Sequence, residues 1–301
     1  MRWIVREGDG RTVGEILLRA GADASAVREG RVFVGRRRVK REDERLATDD
    51  VVDVAEPRGP GPEVRVLLRT DDLVAVDKPA GVPTIADHGG GAHALVAVTA
   101  RALGLDPSAL HPTSRLDRDV SGVVVLALTA GAATRLAGAR ARGSYARRYV
   151  AIAARTPEPR AGTWSDPIGR AADPRHRAVD GRDAVAASTR YATCAAAAGG
   201  EALLALAPVT GRTHQIRVHA AHAGAPLIGD RVYGGPARVT LPGGRVLQPR
   251  RVALHAARVT VPDASGAPLS IEAPVPDELR SLWAALGGAA GDWEVATSCA
   301  V

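Results

Sequence analysis

Two carboxylates and two guanidinium groups crowd into Arg115-Leu116-Asp117-Arg118-Asp119-Val120-Ser121-Gly122, and the apolar run Val123-Val124-Val125-Leu126-Ala127-Leu128 follows at once. Such a run between a glycine and a threonine reads as a buried strand. Charges at the head of a rigid core strand hold a fixed position, which an active site needs to control pKa and geometry. A carboxylate placed there can serve as nucleophile or base. It must stay ionised for either task. Burial opposes ionisation by raising the pKa, and a nearby guanidinium offsets the effect. Asp117 is the candidate for that role.

A second chemistry-bearing stretch is Thr210-Gly211-Arg212-Thr213-His214-Gln215-Ile216-Arg217-Val218-His219-Ala220-Ala221-His222-Ala223-Gly224. Thr213 as N-cap and Gly224 as stop predict a helix. Ile216, Ala220 and Ala223 would form its core face, and His214 and Arg217, three residues apart, would share another.

Several elements must position these groups. Val64–Leu68 and Leu73–Val76 read as strands, and Asp77-Lys78-Pro79-Ala80-Gly81 as a turn in which Lys78 supports the bend. Helices are expected over 92–103 and 130–142, and a strand over 145–154 that carries Tyr149. Residues 155–185, rich in Pro, Gly, Arg and Asp, read as a loop or extended hairpin. Strands at 186–193, 203–207, 254–256 and 269–271 and a helix at 276–286 with Trp283 inward complete the domain. Residues 288–301 lack periodicity and read as a loose, disordered tail.

Residues 1–56 read as a separate unit. Val13, Ile16 and Leu17 recur at helical spacing after Thr12, a short helix follows near 24–28, and Arg31–Val39 reads as strand, tight turn, strand. Arg31, Arg36, Arg37 and Arg38 cluster about that turn, as in a phosphate-contacting surface; the bland alternative is a solvated basic face. Residues 57–63, with Pro57, Pro60 and Pro62 among glycines, form a linker by composition.

Composition narrows the classes. The chain has 301 residues, 46% hydrophobic and 3% aromatic, which is enough for a large domain with a small companion. The net charge of +7 points to a polyanionic partner. Lys40 and Lys78 are the only lysines, a bias toward arginine that carries no functional weight by itself. Cys194 and Cys299 are far apart in sequence and make no metal-ligand pattern, and Cys194 reads as an apolar filler. No stretch reaches the length of a membrane span and the N-terminus lacks a signal-peptide segment, so a cytoplasmic protein is expected.

Three stretches taken together resemble the RluA-type RNA pseudouridine synthases: Asp77–Gly81, Arg115–Gly122, and Gly211–His219 continuing into Gly229-Asp230-Arg231-Val232-Tyr233-Gly234. They stand in the family's order, and the resemblance covers 64–286. The first 56 residues resemble the small RNA-binding domain named after ribosomal protein S-four, with Val34-Gly35 where Asn-Gly is usual. The resemblance implies an α+β pseudouridine synthase fold with a mixed, largely antiparallel central sheet flanked by helices and loops, preceded by a small α/β RNA-binding domain. The expected domains are therefore 1–56, a linker at 57–63, a catalytic domain at 64–287 and the tail.

The resemblance also implies the activity, isomerisation of a uridine already in RNA, with no cofactor and no metal. Asp117 would be the essential carboxylate, Arg217 its ion-pair partner, and Tyr149 the aromatic that stacks on the target base near C5, with a phenol tip suited to proton removal as well. Arg115 would hold the flipped nucleotide or the space it vacates; extrusion is cheapest from an unpaired loop. Arg212 and His214 would contact RNA, and His219 and His222 read as structural or RNA contacts rather than metal ligands. Ser114 stands where the family commonly has His, with His111 three residues earlier. Asp119 reads as structural. The leading domain points to large-subunit ribosomal RNA as the partner, with transfer RNA as the alternative, and to a monomer. Two rival classes remain on the sequence: a non-catalytic RNA-binding or ribosome-assembly factor on the same fold, and a hydrolase using Asp117 with a His. The first would be favoured by loss of Asp117, Tyr149 or Arg217, and the second needs a nucleophile elbow or metal cluster.

Overall fold

The computed structural model describes residues 1–35, 37–56, 62–86, 91–173, 175–241 and 244–301. Arg36 and most of the expected linker lie outside them. The chain divides into two units, Met1–Val64 with Val82–Ala109, and Arg65–Gly81 with Leu110–Val301.

In the first unit Thr12 caps α1 (Val13–Arg19) through a capping box, its side chain accepting from Glu15 N–H while the Glu15 carboxylate accepts from Thr12 N–H. Then come α2 (Ser25–Arg28) and four strands, β1 (Arg2–Ile4), β2 (Val32–Val34), β3 (Arg37–Arg38) and β4 (Val51–Val54), in the order β1-β4-β2-β3. Val13, Ile16 and Leu17 on one face of α1 pack with Val27, Val32, Val52 and Val54. The strand β1 carries no alternating pattern and was not expected. Helix α3 (Leu95–Leu103) also belongs to this unit, although the sequence placed it in the catalytic domain; Gly91 N–H donates to Glu29 O at 3.2 Å. An apolar helical face specifies that it must be covered, not which core covers it.

The second unit is built on one large sheet. Its strands are β5 (Arg65–Arg69), β6 (Leu73–Lys78), β7 (His111–Pro112), β8 (Ser121–Ala127), β9 (Ala146–Ala153), β10 (Ala161–Trp164), β14 (Thr189–Ala196), β15 (Ala202–Pro208), β18 (Leu254–Pro262) and β19 (Pro268–Glu272). The order is β10-β14-β15-β9-β18-β8-β6-β5, with β19 on β18 and β7 on β8. The pairing of β8 with β18 is parallel, and the other pairs of this sheet are antiparallel. The sheet is thus mixed and largely antiparallel. Every residue of β8 is buried, which explains a continuous apolar run rather than an alternating one. Helix α4 (Ala130–Ala141) covers one part of the sheet, with Leu136 and Ala139 against Val123 and Val125.

Two expectations change. The segment expected as a loop or extended hairpin carries four strands among its described residues: β10 pairs with β14, while β11 (Ile168–Arg170), β12 (Arg177–Val179) and β13 (Arg182–Val185) form a small antiparallel sheet. Helix α5 (Gln215–His222) lies near it, and β16 (Val239–Thr240) and β17 (Val246–Leu247) pair as a hairpin. The loose tail is also replaced by structure. Beyond α6 (Asp277–Ala285), the helix α7 (Asp292–Ser298) buries Trp293 to 1% exposure against Val150, Ile152 and Trp283. Asp292 accepts from the Trp283 indole N–H at 2.8 Å, fixing α7 to α6. One tryptophan supplies more apolar area than a short periodic pattern would reveal.

Candidate active site

The turn that carries Asp117 is clamped from three sides. From β6, the buried Lys78 Nζ donates to the carbonyls of Arg118 and Pro79, both at 2.9 Å, and Gly81 N–H also donates to Arg118 O at 2.8 Å. Burial pushes the Lys78 ammonium down to about 7, against the pull of Asp119 and Asp117. The first family-like stretch thus supports the second. From β18, Ser121 Oγ meets His255 Nδ1 at 2.8 Å, and Arg251 Nη1 donates to the same oxygen at 3.0 Å. Gly122, at φ +115, lies so close to β18 that an added Cβ would stand 2.2 Å from Ala256 O. Only glycine fits there. On the N-terminal side, Thr113 and Ser114 hydroxyls each lie 3.1 Å from Tyr145 OH. Ser114 is therefore tied to Tyr145.

Helix α5 brings the second half of the site. Thr213 is not its cap. His214 occupies that position in a left-handed conformation, φ 58, without a side-chain capping bond. That backbone choice sends its imidazole elsewhere: Nδ1 meets Tyr233 OH at 2.6 Å, and Nε2 lies 3.8 Å from Asp117 Oδ2. Burial lowers the His214 pKa, with Asp117 opposing, so the ring is neutral at pH 7. Gln215 holds the helix start, its Oε1 accepting from Arg212 N–H at 2.9 Å and from the Thr210 hydroxyl at 2.7 Å. Gly224 follows the helix at φ 74, as a stop should.

Arg217 on α5 donates from Nη1 to Asp117 Oδ2 at 3.0 Å. Its Nε and Nη2 grip Asp230 Oδ2 and Oδ1 at 2.7 and 2.8 Å. The guanidinium carbon also sits 4.9 Å from the centre of the Tyr233 ring. Burial works against this charge, but Asp230 and then Asp117 outweigh it and raise the Arg217 pKa. A guanidinium fork is needed because a lysine could not hold two carboxylates in one plane.

Tyr149 on β9 is buried. Burial raises its phenol pKa, Arg147 opposes, and the Asp117 charge adds to the rise, which places Tyr149 and Asp117 in one electrostatic neighbourhood. Its hydroxyl has no hydrogen-bond partner among the described residues. Arg115 is exposed, with a guanidinium that has no partner among them either. Arg212 is exposed and donates from Nε to Ala186 O at 3.0 Å. Asp119 is exposed and pairs with Arg118 at 3.3 Å.

The arginines of the first unit divide. Arg31 is buried, donating to Glu29 and to Ala55 O at 2.8 Å, so its guanidinium is engaged inside the fold rather than offered to a ligand. Arg37 is exposed and pairs with Glu44, and Arg38 lies over the Phe33 ring at 5.7 Å. Arg36 lies outside the described residues. His219 uses both ring nitrogens on Thr189 Oγ1 and Asp166 O, each at 2.9 Å, which makes it structural. No group of three or more His, Cys, Asp or Glu among the described residues is arranged to hold a metal ion, and no helix among them is long and apolar enough to cross a membrane.

Sequence reasoning assigned no role to Asp230, Tyr233, Ser121 or His255. For Asp230 a signal existed: a buried arginine fork facing one carboxylate leaves nitrogens that demand another. The Ser121–His255 contact depends on strand register and had no local signal.

Residues 72–222 match the family model described as RNA pseudouridylate synthase. Over 239 residues the chain is 37% identical to ribosomal large subunit pseudouridine synthase D of Xanthomonas campestris, covering 74% of this chain and 69% of that one. An uncharacterized RNA pseudouridine synthase of Chlorobaculum parvum is 31% identical over 284 residues, or 85% of this chain and 86% of its own. Among solved structures, human RNA pseudouridylate synthase domain containing 4 is similar with a TM-score of 0.57 and 25% identity, covering 74% of this chain and 92% of that one.

Proposed function

The chain belongs to the RNA pseudouridylate synthase family, and from that membership we propose that it isomerises uridine in large-subunit ribosomal RNA, with Asp117 as the essential carboxylate. In this isomerisation the glycosidic bond from N1 to the ribose breaks, the uracil turns, a bond forms from C5, and the C5 proton leaves. No atom is gained or lost beyond proton exchange.

The observation that carries the reading is the Asp117–Arg217 ion pair. Arg217 engages Oδ2 and leaves Oδ1 for the reacting nucleotide. The guanidinium sets a positive charge against the half-buried carboxylate, in a place where a flat base excludes water. Tyr149 stacks on the uracil. Its raised phenol pKa keeps it protonated at neutral pH, so it offers the base a ring face rather than a phenolate. The neutral His214 orients Tyr233 under Arg217. Arg115 and Arg212, both exposed, contact the phosphates beside the flipped nucleotide.

The ribosomal preference rests on the likeness to ribosomal large subunit pseudouridine synthase D and on the first unit, which we read as an S-four-like RNA-binding domain contributing Arg37 and Arg38. The test is release of tritium from C5-tritiated uridine in ribosomal and transfer RNA transcripts, with pseudouridines mapped in total RNA from cells with and without the protein. Turnover and a lost pseudouridine in large-subunit RNA are expected. Turnover of transfer RNA alone would overturn the ribosomal assignment, and no turnover of either would overturn the activity.

A further inference from the structure

A row of arginines crosses the central sheet on the face away from Asp117. Arg190 on β14 stands opposite Ala207 on β15. The next pair of strands matches Leu206 with Tyr149, so one step along that register sets Ala207 opposite Arg148 on β9. Arg148 in turn stands opposite Arg258 on β18. Residues directly opposite one another share a sheet face, and neighbours along a strand point to opposite faces. Tyr149, beside Arg148, faces the candidate active site. Thr189, beside Arg190, bonds His219 of α5 at 2.9 Å. Both place the arginine row on the other face.

The row is short of negative charge. Glu272 answers Arg258 at 2.7 Å, but the side chains of Arg148 and Arg190 have no partner among the described residues. Like charges on adjoining strands oppose each other and weaken the sheet. Burial, then Arg190, then Arg258 lower the Arg148 pKa, so the three groups sense one another. Ala207, itself buried, contributes only a methyl group between Arg190 and Arg148, whose guanidinium forks stand on strands about 10 Å apart. A guanidinium fork matches two oxygens of one phosphate.

We propose that Arg190, Arg148 and Arg258 form a second RNA contact, a phosphate-binding track for backbone that extends beyond the target uridine. It rests on the reading of the chain as an RNA-modifying enzyme. The geometry suits RNA wrapping around the sheet edge: β14, which carries Arg190, is separated from that edge by the single strand β10. The track adds affinity for long RNA without touching the reacting nucleotide.

The test compares wild type with Arg148→Gln/Arg190→Gln and with Arg190→Gln alone, whose side chain is exposed and whose loss does not threaten the fold. Affinity for a large-subunit ribosomal RNA transcript and for a short oligouridylate is titrated against salt by filter binding, beside tritium release from the transcript. Removing one cation that neutralises a phosphate reduces the slope of log affinity against log salt by about 0.7–0.9. The expected result is a slope on the transcript reduced by about one such step in Arg190→Gln and by about two in the double variant. The slope on the oligouridylate and kcat stay unchanged, and KM for the transcript rises. An unchanged slope on the transcript while wild type releases tritium overturns the track and leaves the enzymatic reading standing. Absence of tritium release by wild type overturns the reading instead, and the slopes still report on the track. An equal reduction on both RNAs also overturns the inference, because a short ligand cannot span both faces.

Discussion

Arg217 joins Asp117 to Asp230, donating to the first at 3.0 Å from one nitrogen and to the second at 2.7 and 2.8 Å from the other two. The two pairings differ in kind. Asp230 is 1% exposed and fully spent on Arg217 and on the amides of Val232 and Tyr233, whereas Asp117 is half-buried and keeps one oxygen unengaged. One carboxylate anchors the arginine; the other is presented by it.

Asp117→Asn keeps the shape of the side chain and removes its charge. Tritium release from uridine transcripts should fall by about four orders of magnitude or more, at or beyond the upper end of what general acid–base assistance alone supplies. RNA affinity by filter binding should stay within about threefold. Near-normal release would end the assignment of Asp117.

Asp230→Asn tests positioning. Breaking this buried pair leaves Arg217 with Asp117 as its remaining carboxylate, so the cost should fall below the about 3–5 kcal/mol of a fully orphaned buried charge. A lower Tm by calorimetry is expected, together with kcat reduced about 10- to 100-fold and KM little altered, because the loosened Arg217 no longer holds Asp117 in register. A fall in Tm with kcat unchanged would make Asp230 purely structural.

Tyr149→Phe separates ring from hydroxyl. With stacking as the role, the variant should keep kcat within about tenfold, while Tyr149→Ala should lose about 1–3 kcal/mol of base stacking. Inactivity of Tyr149→Phe in tritium release would assign the phenol itself to proton transfer.

The buried His255 sets an acid limit. Burial pushes its pKa down to about 4 in the fold, below the unfolded value of roughly 6.5. As pH falls, the unfolded chain takes up the proton first. Stability is therefore complete above about 6.5 and is lost progressively down to about 4, by about 3 kcal/mol from this group. His214 and His219, also lowered by burial, act in the same direction. Urea unfolding of His255→Gln and wild type should show a gap that narrows between pH 7 and pH 4.5. A constant gap would mean the imidazole titrates alike in the folded and unfolded chain.

The contiguous parts of the site were legible in the sequence. Asp117 and its turn stand together before a run of valines, and the whole of β8 is buried as that run implies. Arg217 was legible as the partner of Asp117 only through the family resemblance of its stretch, and the start of its helix was not, because a left-handed histidine at the cap leaves no compositional trace. Arg31 was misread for a different reason. Arginine in a basic cluster looks solvated, and only the fold reveals that a carbonyl at Ala55 captures it. Asp230 and His255 were silent because their partners arrive through tertiary approach. Trp293 shows the limit of periodicity, which cannot see a single large side chain closing a core.

The parallel pairing of β8 with β18 has a consequence in time. Ser121 and Gly122 are held by His255 and Ala256, residues synthesised long after the Asp117 turn. The Asp117 turn thus has no lasting shape on a chain that lacks β18, and truncations upstream of β18 should be inert rather than weak. Activity awaits the emergence of β18.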